Sequence, residues 1–277
     1  MSTKHAQSTQ AQVAQAQVAQ AIDAIHLRFG EHALARVDRL PAIEAWPTGV
    51  GVVDRLTGIG GLPRGRLAVI QGRSTCGKSS LSLALLANAS REFAQAVVID
   101  PGGGFDPWAL LEFRPQLKAL TVIRPPDPTA TGEAAVALAK AGAGFLLLSL
   151  PARVAAAAES WLALLASVAE RSSAIVVAVV EAAPRPLAHT SSFSLELERT
   201  GWKFERGQLV GLRARVTCVK NKVAMPGGRG ELEVLYPLGA GLFPERALEE
   251  VGETGMQEGE KEGEKEWRWP PRVSAVV

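Results

Sequence analysis

Gly72, Gly77, Lys78 and Ser79 stand at the spacing G-x-x-x-x-G-K-[ST], with Arg73, Ser74, Thr75 and Cys76 between the glycines and Ser80 following. Glycines at those two places let a turn close tightly and aim successive backbone N–H groups into one concavity, which favours an anion. The lysine brings a charge to the terminal phosphates, and the Ser79 hydroxyl offers a Mg²⁺ ligand. The chemistry expected of this stretch is binding of a nucleoside triphosphate. Hydrolysis would need a further group that orients and deprotonates water.

The elements around the loop fit that reading. Leu67 to Ile70 is an apolar run suited to a buried strand, and Ser79 to Asn88 reads as a helix. Further apolar strands are expected at Phe93 to Ile99, Leu120 to Arg124, Gly144 to Leu150 and Ala174 to Val180. Helical stretches at Thr131 to Ala143 and Ala155 to Arg171 alternate with them. Short buried strands alternating with helices predict an α/β fold with a mainly parallel central sheet covered on both faces. Phe193 to Glu198, Gln208 to Lys220 and Glu231 to Tyr236 alternate apolar and polar residues, as antiparallel strands do.

Ahead of this core, residues 1–11 are polar and read as disordered. The stretch from Gln12 carries Val13, Val18, Ile22, Ile25 and Phe29 at helical spacing. Such a helix needs a partner surface, either its own core or a neighbouring subunit, the latter giving self-association. The chain divides into residues 1–46 (disordered start, docking helix and linker), a core at 47–246, and an acidic tail at 247–277. That tail ends in WRWPPRVSAVV, where Trp267 and Trp269 read as a partner-binding segment or a mobile end without a role.

The 277 residues are 47% hydrophobic with a net charge of +2, enough for a sizeable core and too balanced to announce nucleic acid or membrane. Cys76 and Cys218 read as reduced thiols. No run reaches membrane-span length and no signal-peptide core is present, so a soluble, cytoplasmic protein is expected.

Three segments together resemble the RecA recombinase family over about Ala21 to Gly241: IGGLPRGRLAVIQGRSTCGKSSL (Ile59 to Leu81), VVIDPGGGFDP (Val97 to Pro107) and VKNKVAMPGGRGELEVLY (Val219 to Tyr236). The resemblance implies a RecA-like phosphate-loop core using ATP or ADP with Mg²⁺. It places Asp106 near the adenine with Trp108 beside it, as a stacking partner or a core residue. It also makes Lys220 and Lys222 lysines that cross to a neighbour's nucleotide, the alternative being solvated lysines on an exposed strand.

Four departures from the family pattern weaken the catalytic half of that inference. The water-activating glutamate corresponds to Gly102, with Asp100 two residues earlier as a possible substitute. The acidic residue supporting Mg²⁺ corresponds to Leu148. The phosphate-sensing glutamine corresponds to Glu181, which would repel a γ-phosphate, reorient or replace the base. The two DNA-binding loops look contracted, one to Pro151 to Ala155 and the other to Ala182 to Ser192, where Arg185 and His189 remain.

Few cations imply weak or assisted single-stranded DNA binding. The pattern is similar to that of the ImuA-type accessory proteins, which implies nucleotide binding with little or no hydrolysis. It also implies partnership with RecA and an error-prone, Y-family-like polymerase in DNA repair, recombination and SOS (translesion) mutagenesis. The alternative is a DNA-dependent ATPase recombinase with rearranged catalytic residues.

Overall fold

A nine-stranded sheet carries the functional residues at one end of its parallel strands. The computed structural model describes residues 16–25, 27–28, 43–236 and 248–250. The chain divides into two units, Met1–Glu44 and Ala45–Val277. In the first, residues 16–25 and 27–28 are helical, with Val18 and Leu27 exposed. Trp267, Trp269, Val13 and Phe29 lie outside the described residues.

The second unit opens with a small two-stranded sheet, β1 (Ala45–Trp46) and β2 (Leu62–Pro63), around helix α1 (Gly51–Thr57). The Asp54 carboxylate accepts from both the Thr48 amide (2.9 Å) and hydroxyl (2.6 Å), fixing the turn into α1. This helix and the β1–β2 pair are elements that the glycine-rich sequence concealed.

The large sheet has the order β11-β10-β9-β8-β3-β7-β6-β4-β5. Its parallel part comprises β8 (Phe193–Glu205), β3 (Leu67–Gln71), β7 (Ile175–Val180), β6 (Phe145–Ser149), β4 (Ala96–Ile99) and β5 (Leu120–Ile123). Strands β9 (Gln208–Asn221), β10 (Arg229–Leu235) and β11 (Leu248–Glu250) continue it antiparallel. The α/β, mainly parallel architecture expected from the alternation is the one observed. Leu248–Glu250, assigned to the flexible tail by composition, instead pair with Leu232–Val234. That pairing satisfies backbone groups β10 would otherwise present as an edge.

Both faces of the sheet are buried, which is why its central strands are continuous apolar runs. On one face Ala68, Ile70, Val98 and Leu147 pack with Leu81, Leu85 and Leu86 of helix α2 (Lys78–Glu92). Trp46 closes that layer against Phe93 and Phe145, with ring centroids 5.4 and 5.5 Å apart. The other face holds Val69, Ile99, Leu146 and Leu148. It is covered by α4 (Pro128–Lys140), α5 (Ala152–Ala157) and α6 (Glu159–Ser172), the short α3 (Pro107–Leu111) lying earlier in the chain. Truncating a fully buried residue of these layers, such as Leu81 or Leu165, to alanine would cost about 2–5 kcal/mol.

Two segments read as loops are helical. Ala152–Ala157 forms α5 directly after Pro151, and Arg185–Thr190 forms α7. Proline at the start of α7 sets a helical φ without losing an intrahelical bond. Leu187, fully buried against the α6 layer, anchors it.

Candidate nucleotide site

The phosphate loop leaves the end of β3 at the C-terminal edge of the parallel strands, where ligands of open α/β sheets bind. Gly72 has φ +157°. A Cβ there would lie 2.4 Å from the Leu197 carbonyl oxygen and 2.7 Å from Cys76 Sγ, so the neighbouring strand permits no side chain. Gly77 adopts a left-handed conformation (φ +90°) and hands the chain to α2. No side chain caps the first turn of α2, so its amides and the helix dipole remain directed at an anion. Thr75 also has positive φ (+61°). Lys78 Nζ donates to the Arg73 carbonyl at 3.1 Å, spanning the loop from within. Arg73, Ser74, Thr75 and Ser79 are exposed at its mouth, Lys78 and Ser80 are half-buried, and Cys76 is buried.

The cradle therefore fits a polyphosphate. Among the described residues no three His, Cys, Asp or Glu side chains gather as a metal site. A Mg²⁺ would depend on Ser79 and the nucleotide's own phosphates, which suits an ion that keeps much of its water.

The residues at the positions expected for catalytic carboxylates are Gly102, Asp100, Leu148 and Glu181. A Cβ at Gly102 would lie 2.7 Å from Pro151 Cγ, so the proline following β6 fills the space into which a side chain would project. Asp100 is fully buried. Its Oδ2 accepts from the Phe105 amide at 2.8 Å and lies 3.9 Å from Arg124 Nε, while its Oδ1 has no hydrogen-bond partner. This carboxylate organises the turn after β4. Leu148 lies in the core on the sheet face opposite α2. The β6 residue at the loop end on the α2 side is Ser149, so neither position carries an acid. Glu181 comes directly after β7, its carbonyl accepting from the Gly72 amide at 3.1 Å, with an exposed side chain.

Other sequence-selected residues fall into two further groups. The Asp106 carboxylate caps α3 by accepting from the Trp108 amide at 2.9 Å. Trp108 is 77% exposed, so it is not a core residue. It lines a 370 Å³ apolar groove with Phe105, Leu117 and Val122, beside the edge strand β5.

Lys220 Nζ donates to the Ala188 carbonyl and to the His189 carbonyl (2.8 Å), and Lys222 Nζ to His189 at 3.3 Å. Both lysines thus cap the C-terminal end of α7, where cations meet the negative end of the helix dipole. Burial pushes the Lys220 ammonium below the ordinary lysine value, and repulsion from Lys222 adds to that. Asn221 between them accepts from the Val223 and Ala224 amides at 2.9 and 3.0 Å and donates to the Thr57 carbonyl at 3.0 Å. The KNK segment thereby ties β9, α7 and α1 together. Arg185 and His189 are exposed on α7.

One neighbour of the loop does not show in the sequence. Strand β8 does not stop at Glu198 but runs to Glu205, alongside the loop. Arg199 Nη1 donates to the carbonyl (3.3 Å) and hydroxyl of Thr75, and its guanidinium lies 4.0 Å from the Trp202 ring centroid. Burial pushes the Tyr236 hydroxyl above the ordinary tyrosine value, and the nearby Arg199 charge opposes that rise in part.

Comparison with known proteins agrees with this architecture. Residues 16–157, a little over half of the chain, match the family described as RecA N-terminal domain. RecA of Thermus thermophilus is 29% identical over 261 residues, covering 81% of this chain and 76% of its own. RecA of Symbiobacterium thermophilum is 28% identical over 272 residues, covering 84% and 76%. The crystal structure of the RadB recombinase superposes with a TM-score of 0.57 at 18% identity, covering 74% of this chain and 99% of that one; at that identity it speaks for the fold alone. The phosphate cradle, the sheet order and the match across more than half its length place this chain in the RecA family.

Proposed function

We propose that this protein is a nucleotide-binding accessory member of the RecA family in DNA repair and recombination, holding ATP or ADP with Mg²⁺ and turning it over slowly or not at all. One observation carries the reading: the phosphate loop is complete, while the position for a water-activating carboxylate is Gly102 and Pro151 occupies its side-chain space. Phosphoryl transfer to water depends on a positioned group that takes the proton. Asp100 is committed to its own turn, and Leu148 to the core.

Within that class, the retained KNK segment and the loss of catalytic carboxylates favour an ImuA-type role. The protein would join RecA filaments and an error-prone polymerase partner in SOS translesion synthesis. Lys220 and Lys222 would exchange their α7 carbonyls for a neighbour's nucleotide, Arg185 and His189 would give weak or assisted contact with single-stranded DNA, and Trp267 and Trp269 would read the partner. This work on DNA would take place in the cytoplasm. No helix among the described residues is long and apolar enough to cross a membrane.

Titration into preformed RecA filaments tests this. Binding, or altered strand exchange or filament ATPase, that is lost in Lys220→Ala/Lys222→Ala supports it; neither binding nor any change refutes it. A second reading, a DNA-dependent ATPase with rearranged residues, draws on Glu181, whose backbone abuts Gly72. Turnover stimulated by single-stranded DNA and abolished by Glu181→Gln would favour it.

A further inference from the structure

We infer that Arg199 is a phosphate-binding residue of the nucleotide site, supplied by β8, which transfers from Thr75 to the terminal phosphate of a bound nucleoside triphosphate while Trp202 registers the transfer. This rests on the nucleotide-binding reading above and extends it to a residue outside the phosphate-loop motif.

The backbone geometry comes first. Strand β8 pairs in parallel with β3 from Ala68↔Phe193 to Gln71↔Glu196. Where β3 turns into the loop, β8 continues past it, so close that the Leu197 carbonyl excludes any Cβ at Gly72. A bulge between Arg199 and Gly201 interrupts the alternation there, and bulges re-aim side chains. The Arg199 guanidinium reaches Thr75, one of the exposed residues at the mouth of the cradle.

The chemistry follows from what the guanidinium touches. Its Nη1 meets two neutral acceptors, both on Thr75, and among the described residues it pairs with no carboxylate. Its neighbour Glu198 is taken by Arg215 at 3.4 Å. Lys78 rests in the same manner, on the neutral Arg73 carbonyl of the same loop. Two cations therefore hold neutral oxygens of one phosphate cradle, Lys78 from inside and Arg199 from the flanking strand. A phosphate oxygen is the stronger acceptor for both, because it adds the attraction of an opposite charge to the hydrogen bond. A planar five-donor fork also suits phosphate better than a single carbonyl.

Stacking on Trp202 sets the path and provides the signal. The indole is 43% exposed and shares the apolar side of the β8–β9 ribbon with Phe204 and Leu209, which face each other across the strands. A cation stacked on indole at an exposed site is held weakly, so a phosphate can draw it away. Departure of the guanidinium changes the environment of Trp202, whose ring centroid it overlies at 4.0 Å.

The test is equilibrium binding of ATP and ADP with Mg²⁺ by calorimetry to the full chain, its Arg199→Ala and Arg199→Lys variants, and Lys78→Ala as the control for the cradle itself. Tryptophan emission is recorded in parallel for the wild type, Arg199→Ala and Trp202→Phe. We expect Arg199→Ala to weaken ATP on the order of tenfold, the loss of one hydrogen bond to a charged group, and ADP much less. Lysine should restore part of that loss. The difference in emission between the ATP and ADP complexes of the wild type, to which adenine contacts such as that of Trp108 contribute equally, should vanish in both Arg199→Ala and Trp202→Phe.

Wild-type ATP affinity in Arg199→Ala overturns the inference while leaving nucleotide binding intact. Equal weakening of ATP and ADP also overturns it, because it marks a brace for the loop rather than a phosphate contact. Absence of nucleotide binding in the wild type, no better than in Lys78→Ala, defeats the nucleotide reading and this inference with it.

Discussion

Pro151 Cγ lies 2.7 Å from the point where a Cβ at Gly102 would stand. The two residues come from different strand ends, Gly102 after β4 and Pro151 after β6, and each accounts for the other. Without a side chain at 102 the proline can close over the β4 turn, and with the proline in place a carboxylate at 102 has no room.

A carboxylate placed at 102 therefore meets Pro151 before it can reach a nucleotide. Gly102→Glu should destabilise the fold by about 1–3 kcal/mol, the usual cost of overpacking, because a ring fused to the backbone yields little beyond its pucker. Thermal unfolding checks this, and the double variant Gly102→Glu/Pro151→Ala should recover most of the loss. An unchanged melting temperature in Gly102→Glu would show that Pro151 moves freely.

The buried Glu233 carboxylate accepts from Lys203 at 2.6 Å and Arg213 at 2.9 Å, joining β8, β9 and β10 beside the loop. Burial pushes its carboxyl up, but these two cations outweigh that and hold it below the ordinary value of 4.5. A carboxylate with a lowered folded value stabilises the fold above its unfolded value, and that stability is lost as pH falls through the folded one. The melting temperature should drop as pH is lowered from about 5 to about 3. Glu233→Gln should be about 1–3 kcal/mol less stable at neutral pH and show a shallower acid dependence.

Lys220 holds the last carbonyls of α7 in place of water. Lys220→Met should loosen that six-residue helix, raising amide hydrogen exchange there and lowering stability by about 1 kcal/mol. Exchange confined to wild-type rates in α7 would mean that Leu187 alone anchors it.

The parts of this fold that showed in the sequence are those whose signals are contiguous. Gly72 to Ser79 is one uninterrupted spacing, and the strands around it are apolar runs because both faces of the sheet are buried. Helix α7 did not show, because AAPRPLAHTSS carries turn residues and what makes a helix of it, burial of Leu187 and capping by Lys220 and Lys222, comes from distant elements. The alternation of strand β8 ends at Glu198 in the sequence because it fails at the bulges between Arg199 and Gly201 and between Lys203 and Phe204. That failure hid Arg199, whose place beside Thr75 depends on a register between distant strands. The closure of Gly102 by Pro151 was equally invisible, being a contact across 49 residues that no spacing encodes.

The most direct test of the central claim sets ATP binding against ATP turnover in one preparation, with and without single-stranded DNA. The account predicts Mg²⁺-dependent ATP binding that Lys78→Ala abolishes, with hydrolysis no faster in the wild type than in that variant. DNA-stimulated turnover that disappears in Lys78→Ala would contradict it.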